Sequence, residues 1–383
     1  MKPARIFIFL LCFGGVLAGC SMKEQSDTLV ANHELSVEVS NSTSYKLPSS
    51  SESMTLIPLQ TAAHCLIGEV DKLYMTADYI IVYDQRNNRI FLFDKAGNFV
   101  RQIGQKGDGP EEYNAFSDVV YDYQTERIYA FERFREKMYV YSLEGTLEKV
   151  IPSEFGFNSF IKSEKGYWIY SCFKKNNPEH HLLMHVDEEL SQVYGRFFPQ
   201  ENINTVHFTS RFTENRTDGS RYFYFDGSDV IWRLSDTAEP FAHVDFGAGT
   251  LPYEEMACAK DIDSYDKLVH RATHVGFIDN VQVSDDWLFF NCSESGLNKG
   301  IAVYTVNHNL KEKTTHIYKD MMLKSSDLSL EYRRLLQITQ EGDFVYMVSP
   351  QKLNRYELYT LQGILPQVDE ESNPVIVLMK AGA

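Results

Sequence analysis

The cysteine at position 20 stands in the setting that points most directly to chemistry. It closes the run Leu17-Ala18-Gly19-Cys20. Small residues before a thiol fit the narrow site of a lipoprotein signal peptidase, and the thiol is the nucleophile that takes up a diacylglyceryl group. Lys2 and Arg5 precede an apolar stretch over 6–16. That stretch is too short for a membrane-spanning helix, which needs ~20 residues, but it has the length of a secretory h-region. Residues 1–19 are therefore expected to be a signal peptide. Cys20 then becomes a lipidated N-terminus that places the chain in the cell envelope, as an outer-membrane lipoprotein facing the periplasm or the surface.

Arginines make the second candidate. Arg133 and Arg135 flank Phe134 between two expected strands, and Arg86 occupies the analogous turn one repeat earlier. Guanidinium groups hold carboxylates or sulfates through paired, charge-assisted hydrogen bonds. In a chain of formal charge -16, such a cationic spot is a candidate ligand site. The competing use is local pairing with Glu132 and Glu136.

Other constellations support less. Gly104, Gly107 and Gly109 could offer backbone N–H groups to a phosphate. However, the run lacks the Lys-Ser/Thr of a phosphate loop and opens no helix, so it reads as a tight structural crossover. His270 and His274 have the four-residue spacing of a helical metal pair but no His-Glu-x-x-His context. His180, His181 and His185 read as solvated loop residues. Asp261, Asp263 and Asp266 lack the glycine and closing glutamate of a calcium loop and read as a solvated helix face. No Gly-x-Ser-x-Gly elbow is present. No metal or cofactor is expected. Cys65, Cys172, Cys258 and Cys292 are far apart with no Cys-x-x-Cys, so buried free thiols are expected, although an oxidising envelope would permit disulfides.

The elements that must carry these residues are strands. Tyr and Phe number 23 and 25, and aromatic side chains pack well on pleated surfaces. Triplets of strands are expected at 79–84, 89–94 and 98–104, then at 127–131, 137–143 and 146–151, with glycine turns at Gly97 and Gly145. Looser copies follow, and equivalent turns recur at roughly 40–50 residues, the period of propeller blades. One longer interval contains 252–272, where Met256, Ala259, Ile262, Leu268 and Val269 recur at helical spacing. A second helix is expected near 354–364. The strand 55–60 should pair with 375–380 to close the ring, because both would otherwise expose open edges. Residues 20–53 are polar and serine-rich and read as a flexible tether, with the propeller over 54–383.

The run Ile103-Gly104-Gln105-Lys106-Gly107-Asp108-Gly109-Pro110-Glu111-Glu112-Tyr113 resembles the Gly-x-x-Gly-x-Gly-Pro-Gly-Glu-Tyr loop of six-bladed β-propeller lipoproteins abundant in Bacteroidetes, relatives of NHL-repeat propellers. Asp245-Phe246-Gly247 with Leu251-Pro252, and Ser372-Asn373-Pro374-Val375-Ile376-Val377, are similar to that family too. Glu111 stands where the family carries glycine. The resemblance implies an all-β, six-bladed propeller and an envelope location, and it assigns no catalytic role to any residue. Its crossover residues here are Gly104, Gly107, Gly109, Pro110 and Tyr113.

Net negative charge argues against nucleic acid as a partner. The expected partners are the membrane, through the lipid, and a glycan, peptide or envelope protein bound by loops on a rigid scaffold. The alternative class is a hydrolase or lyase with its site at the channel mouth. That reading needs inward-facing His, Asp or Glu converging from several blades.

Overall fold

A computed structural model describes residues 30–46, 54–171, 176–199, 211–225, 227–257, 259, 262–270, 272–296, 299–324, 329–332 and 335–380. The expected signal peptide and Cys20 lie outside these residues, as do Cys172, Cys258 and Asp261.

Six antiparallel sheets form the blades of a propeller. Blade 1 runs through Val70–Met75, Tyr79–Asp84, Arg89–Asp94 and Phe99–Ile103. Blade 2 uses Asp118–Asp122, Arg127–Glu132, Lys137–Tyr141 and Leu147–Pro152. Ser159–Ser163, Gly166–Tyr170, His181–Val186 and Val193–Pro199 make blade 3. Blade 4 contains Phe212–Glu214, Arg221–Phe223, Val230–Leu234 and Ala238–Asp245. Blade 5 is longer, with His274–Val283, Trp287–Gly296, Lys299–Asn309 and Thr314–Lys324. Blade 6 is composite: Gln337–Ile338, Phe344–Val348 and Val375–Met379 are completed by Met54–Pro58 from the other end of the chain. The first strand of each blade lies innermost, and these strands neighbour one another around the axis.

The central strands show why the sequence is so apolar there. Ile80, Ile81, Val82 and Tyr83 are all buried, because each blade is covered on both faces. Side chains alternate across a strand, so the run is shared between two cores. Ile80 and Val82 join Phe91 and Phe93 against Ile57, Val345 and Ile376 of blade 6. Ile81 and Tyr83 pack instead with Val119, Tyr121 and Tyr139 of blade 2. In blades 1 to 4 the pairing of third and fourth strands is interrupted by a register shift, at 92/93, 140/141, 185/186 and 231/232. Such bulges twist an outer edge away from further pairing.

Ring closure follows the expected pairing, with Val375 opposite Pro58 and Met379 opposite Met54. Gly97 takes φ +88°, and a Cβ there would meet the Pro58 carbonyl oxygen at 2.3 Å. Asn373 locks the junction. Its side chain accepts from Ile67 N at 2.9 Å and donates to the carbonyls of Gln60 and Cys65 at 2.7 and 2.8 Å. Asn373 is buried, so Asn373→Ala leaves Ile67 N and Cys65 O without their partner, whereas Gln60 O keeps the Cys65 thiol as a donor. Each stranded group costs ~1–3 kcal/mol, and the variant should lose about 2 kcal/mol or more in urea unfolding. A loss under ~1 kcal/mol would show that these groups find other partners.

The ordered body begins earlier than expected. Within the stretch read as flexible, His33–Ser36 pairs in parallel with the outer strand of blade 4, and Thr43–Lys46 with that of blade 5. A 3-10 turn, Val39–Asn41, joins them. Leu35 and Val37 are buried in the core between those blades. This strap shields two outer edges, and the expected tether over 20–53 is corrected accordingly.

The insertion contains two helices, Tyr253–Ala257 and Ile262–His270, in place of one. Tyr253, Met256 and Val269 gather with Leu251 in a small core of their own. The second expected helix is Arg355–Ile364. Asn354 caps it, accepting from Tyr356 N and Glu357 N, while Glu357 reciprocates on the Asn354 amide. Cys65 and Cys292 are buried free thiols.

Candidate binding face

In a four-stranded antiparallel blade, the turn between the second and third strands opens on the same face as the crossover to the next blade. Arg86, Arg133 and Arg135 all lie in such turns. The crossover from Gly104 to Tyr113 lies between the turns carrying Arg86 and Arg133.

That crossover is internally satisfied. Gly107 N donates to Tyr113 O at 2.8 Å and Tyr113 N to Gln105 O at 3.1 Å. Glu112 folds back so that its Oε2 accepts from Gly109 N at 2.9 Å. A Cβ at Gly107 would sit 2.0 Å from the same oxygen, and Gly104, at φ +71°, leaves no room beside Tyr141. Pro110 lies between Gly109 and that folded-back glutamate. Tyr113 is buried, stacked on Phe116 at 3.9 Å, and donates to Asn88 O at 3.0 Å. Glu111 does not take a left-handed φ, so the glutamate in place of the family's glycine causes no backbone strain.

Arg135 serves this crossover. It donates to Glu112 O at 2.8 Å and Asp108 Oδ1 at 3.0 Å, with Glu132 Oε1 3.6 Å from its Nε. The Tyr139 hydroxyl, with the carboxylates of Glu132 and Asp108, raises its pKa. Arg133 reaches Asn158 Oδ1 at 2.8 Å, and its guanidinium lies 4.7 Å from the Phe134 ring centroid. Phe134 is 81% exposed. Arg86 is exposed and has no hydrogen bond or ion pair among the described residues. The structure thus directs Arg135 into the loop and Arg133 onto Asn158 of blade 3, and leaves Arg86 and Phe134 outward.

Apolar exposure concentrates on the same face. Leu66 lies in the crossover into blade 1. Tyr356 and Tyr359, 73% and 75% exposed, project from the helix between the second and third strands of blade 6. Ile301 is exposed near the tip of the blade 5 hairpin. Among the described residues, the other large exposed apolar side chains are Val303 and Ile364 on this side and Val30 and Tyr194 elsewhere.

The channel holds a polar set that the sequence did not reveal. Lys72 Nζ of blade 1 lies 2.5 Å from Asp118 Oδ1 of blade 2, and Asp118 Oδ2 accepts from Phe160 N of blade 3 at 3.0 Å. Burial raises the Asp118 pKa, against the pull of Lys72. Toward the opposite face, Gln337 bonds Tyr123 Oη at 2.5 Å and accepts from Met75 N at 2.8 Å. Glu214 and Arg216 lie 3.7 Å apart nearby, with the Glu214 pKa raised by burial. Polar groups from blades 1, 2, 4 and 6 therefore converge, but each is engaged by another protein group. The arrangement braces the channel.

One histidine reading changes. His181 and His185 are buried within a strand of blade 3. His185 stacks on Trp168 at 4.4 Å, and its Nε2 is 3.0 Å from Ser163 Oγ. Burial lowers its pKa to about 4. The flanking Leu182, Leu183 and Met184 carry the chain inward. His270 ends a helix beside Asp266 at 3.2 Å, whereas His274 begins a strand, so the two do not share a helical face. Asp263 and Asp266 are solvated, as read.

The fold is similar to that of a protein assigned to export in Bacteroides fragilis, with TM-score 0.69 and 16% identity, covering 91% of this chain and 100% of that one. A DUF4221-family protein of Bacteroides vulgatus gives 0.49 and 10%, covering 85% and 95%. Virginiamycin B lyase of Staphylococcus aureus gives 0.41 and 9%, covering 86% and 99%. The likeness to the first is one of fold alone. No curated protein matches the chain. The profile of a family described as a domain of unknown function, DUF4934, matches residues 30–380. That match includes the strap.

Proposed function

We propose that this chain, which belongs to the DUF4934 family of domains of unknown function, is a lipid-anchored envelope protein that binds an acidic glycan on the crossover face of its propeller. The observation that carries the reading is the concentration of exposed aromatic and guanidinium groups on that face. An exposed aromatic ring offers a flat apolar surface to a sugar, and a neighbouring guanidinium pairs with a carboxylate or sulfate. Export and lipidation at Cys20 are supported by the run Leu17-Ala18-Gly19-Cys20 behind its apolar segment. A Cys20→Ser chain should lose fatty-acid label and leave the membrane fraction.

The binding reading is tested by screening acidic and neutral glycans against wild type, Arg86→Ala and Arg133→Ala/Phe134→Ala. Arg135 is left intact because it holds the crossover. Loss of a charge-assisted contact costs ~1.5–3 kcal/mol, so affinity for acidic glycans should fall roughly ten- to a hundredfold. Identical profiles for folded variants would remove these residues from any ligand site.

A further inference from the structure

His33, the first residue of the strap's strand, is wedged where blades 4 and 5 meet. Its ring stands edge-on to Phe241 of blade 4 at 5.0 Å and to His308 of blade 5 at 6.3 Å. Its Nδ1 is buried without a hydrogen-bond partner. His308 is itself buried, with Nδ1 2.9 Å from Thr315 Oγ1. The charge of Lys313, in the following turn of blade 5, also acts on His33. On the blade 4 side the next strap residue is anchored by charge. Glu34 Oε2 lies 2.7 Å from His243 Nδ1, and Asp229 Oδ2 lies 3.6 Å from His243 Nε2.

We propose that the strap is an acid-released clip with His33 as its sensor, docked while that imidazole is neutral and lifted from blades 4 and 5 when it takes a proton. A proton on Nδ1 creates a buried donor with no acceptor. It also places a cation beside His308 and Lys313, while the carboxylates of Glu34 and Asp229 on the blade 4 side are held by His243. Burial, helped by Lys313, lowers the His33 pKa below its ordinary value of 6.5. Burial and His33 together do the same to His308. A base with a lowered folded pKa stabilises docking fully above the unfolded pKa, and the contribution is lost as pH falls through the folded one.

His243 has the opposite sign. Its two carboxylates raise its pKa to about 9, so its contribution is complete below 6.5 and lost as pH rises through about 9. The clip is therefore tightest near neutral pH and opens in acid through His33. Release uncovers the outer edges of blades 4 and 5. In a chain anchored at Cys20, it also lengthens the leash from roughly 45 Å to roughly 115 Å at full extension. That consequence rests on the lipid-anchor reading, whereas the clip itself does not.

Hydrogen exchange of the Cys20→Ser chain, corrected for intrinsic rate, tests the clip without requiring lipid. Between about pH 7.5 and about pH 5, protection of the strap should fall at least about tenfold while blade 1 stays protected. His33→Phe keeps the ring contacts without a titrating group and should hold the strap docked in acid. His243→Gln should loosen the strap at pH 7.5 yet retain the acid step. Constant protection in wild type, a loss shared equally by blade 1, an undiminished acid step in His33→Phe, or its disappearance in His243→Gln would each overturn the proposal.

Discussion

A chain beginning at residue 61 is expected to lose its single cooperative unfolding transition, whereas a chain beginning at residue 47 keeps it at a lower temperature. The two cuts remove different kinds of support. Starting at 47 discards the strap, which buries Leu35 and Val37 and covers two outer edges. Two fully buried aliphatic side chains are worth ~3–6 kcal/mol. At roughly 1.5 °C per kcal/mol for a chain of this size, Tm should fall by about 4–9 °C. Starting at 61 also removes Met54–Pro58, the fourth strand of blade 6, and the Gln60 carbonyl that Asn373 holds. Val375–Met379 then becomes an open edge, and the core that Ile57 and Leu59 share with Ile80, Val345 and Ile376 is exposed. Because blade 6 joins blade 5 to blade 1, the loss breaks the ring as well as one sheet. Thermal unfolding followed by circular dichroism distinguishes the outcomes. Equal Tm values for the two truncations would show that the ring does not depend on its composite blade.

How much of this was visible in the residues follows from how each strand is buried. The second and third strands of a blade are covered on both faces, so Tyr79–Asp84 and Arg89–Asp94 carry near-continuous apolar runs. Gly97 and Gly145 mark the turns beyond them. The innermost strands carry a mixed pattern. Val70–Met75 includes Asp71 and Lys72, because Lys72 meets Asp118 of the next innermost strand across the polar axis, and Ser159–Ser163 includes Lys162, whose ammonium reaches Glu188 in its own blade. Without a continuous apolar run they carry no clear strand signal, and the channel pair Lys72–Asp118 is hidden with them. The strap did leave a signal. Leu35, Val37 and Val39 alternate with Glu34, Ser36 and Glu38, the period of a half-buried strand, but the serine-rich stretch after it set the reading of the whole segment. The arginines were visible as a cationic spot. Their division into a loop clamp, Arg135, and a contact to blade 3, Arg133, depends on where Glu112, Asp108 and Asn158 fall in space.

Lys72→Met should destabilise the protein by about 3–5 kcal/mol at neutral pH, the usual cost of leaving one charge of a buried pair without its partner. Asp118 is 2% exposed, and Lys72 is the cation within ion-pair distance of it. With that cation gone, the carboxylate retains backbone N–H donors from Val119 and Phe160 but no opposite charge. Its pKa is already raised by burial, and removing Lys72 pushes it further in the same direction. A carboxyl with a raised folded pKa destabilises the fold progressively as pH climbs from the unfolded value, ~3.9, toward the folded one. The penalty should therefore be larger near pH 8 than near pH 5. Asp118→Asn should cost less, because the amide oxygen can still accept from Phe160 N and the Lys72 side chain is 12% exposed. The double variant Lys72→Met/Asp118→Asn removes both charges together and should lie within about 1 kcal/mol of Asp118→Asn alone. Urea unfolding of the four proteins at two pH values gives the coupling directly. Additive losses, or a Lys72→Met penalty that does not change with pH, would mean that the channel is wet enough to solvate Asp118 without its partner.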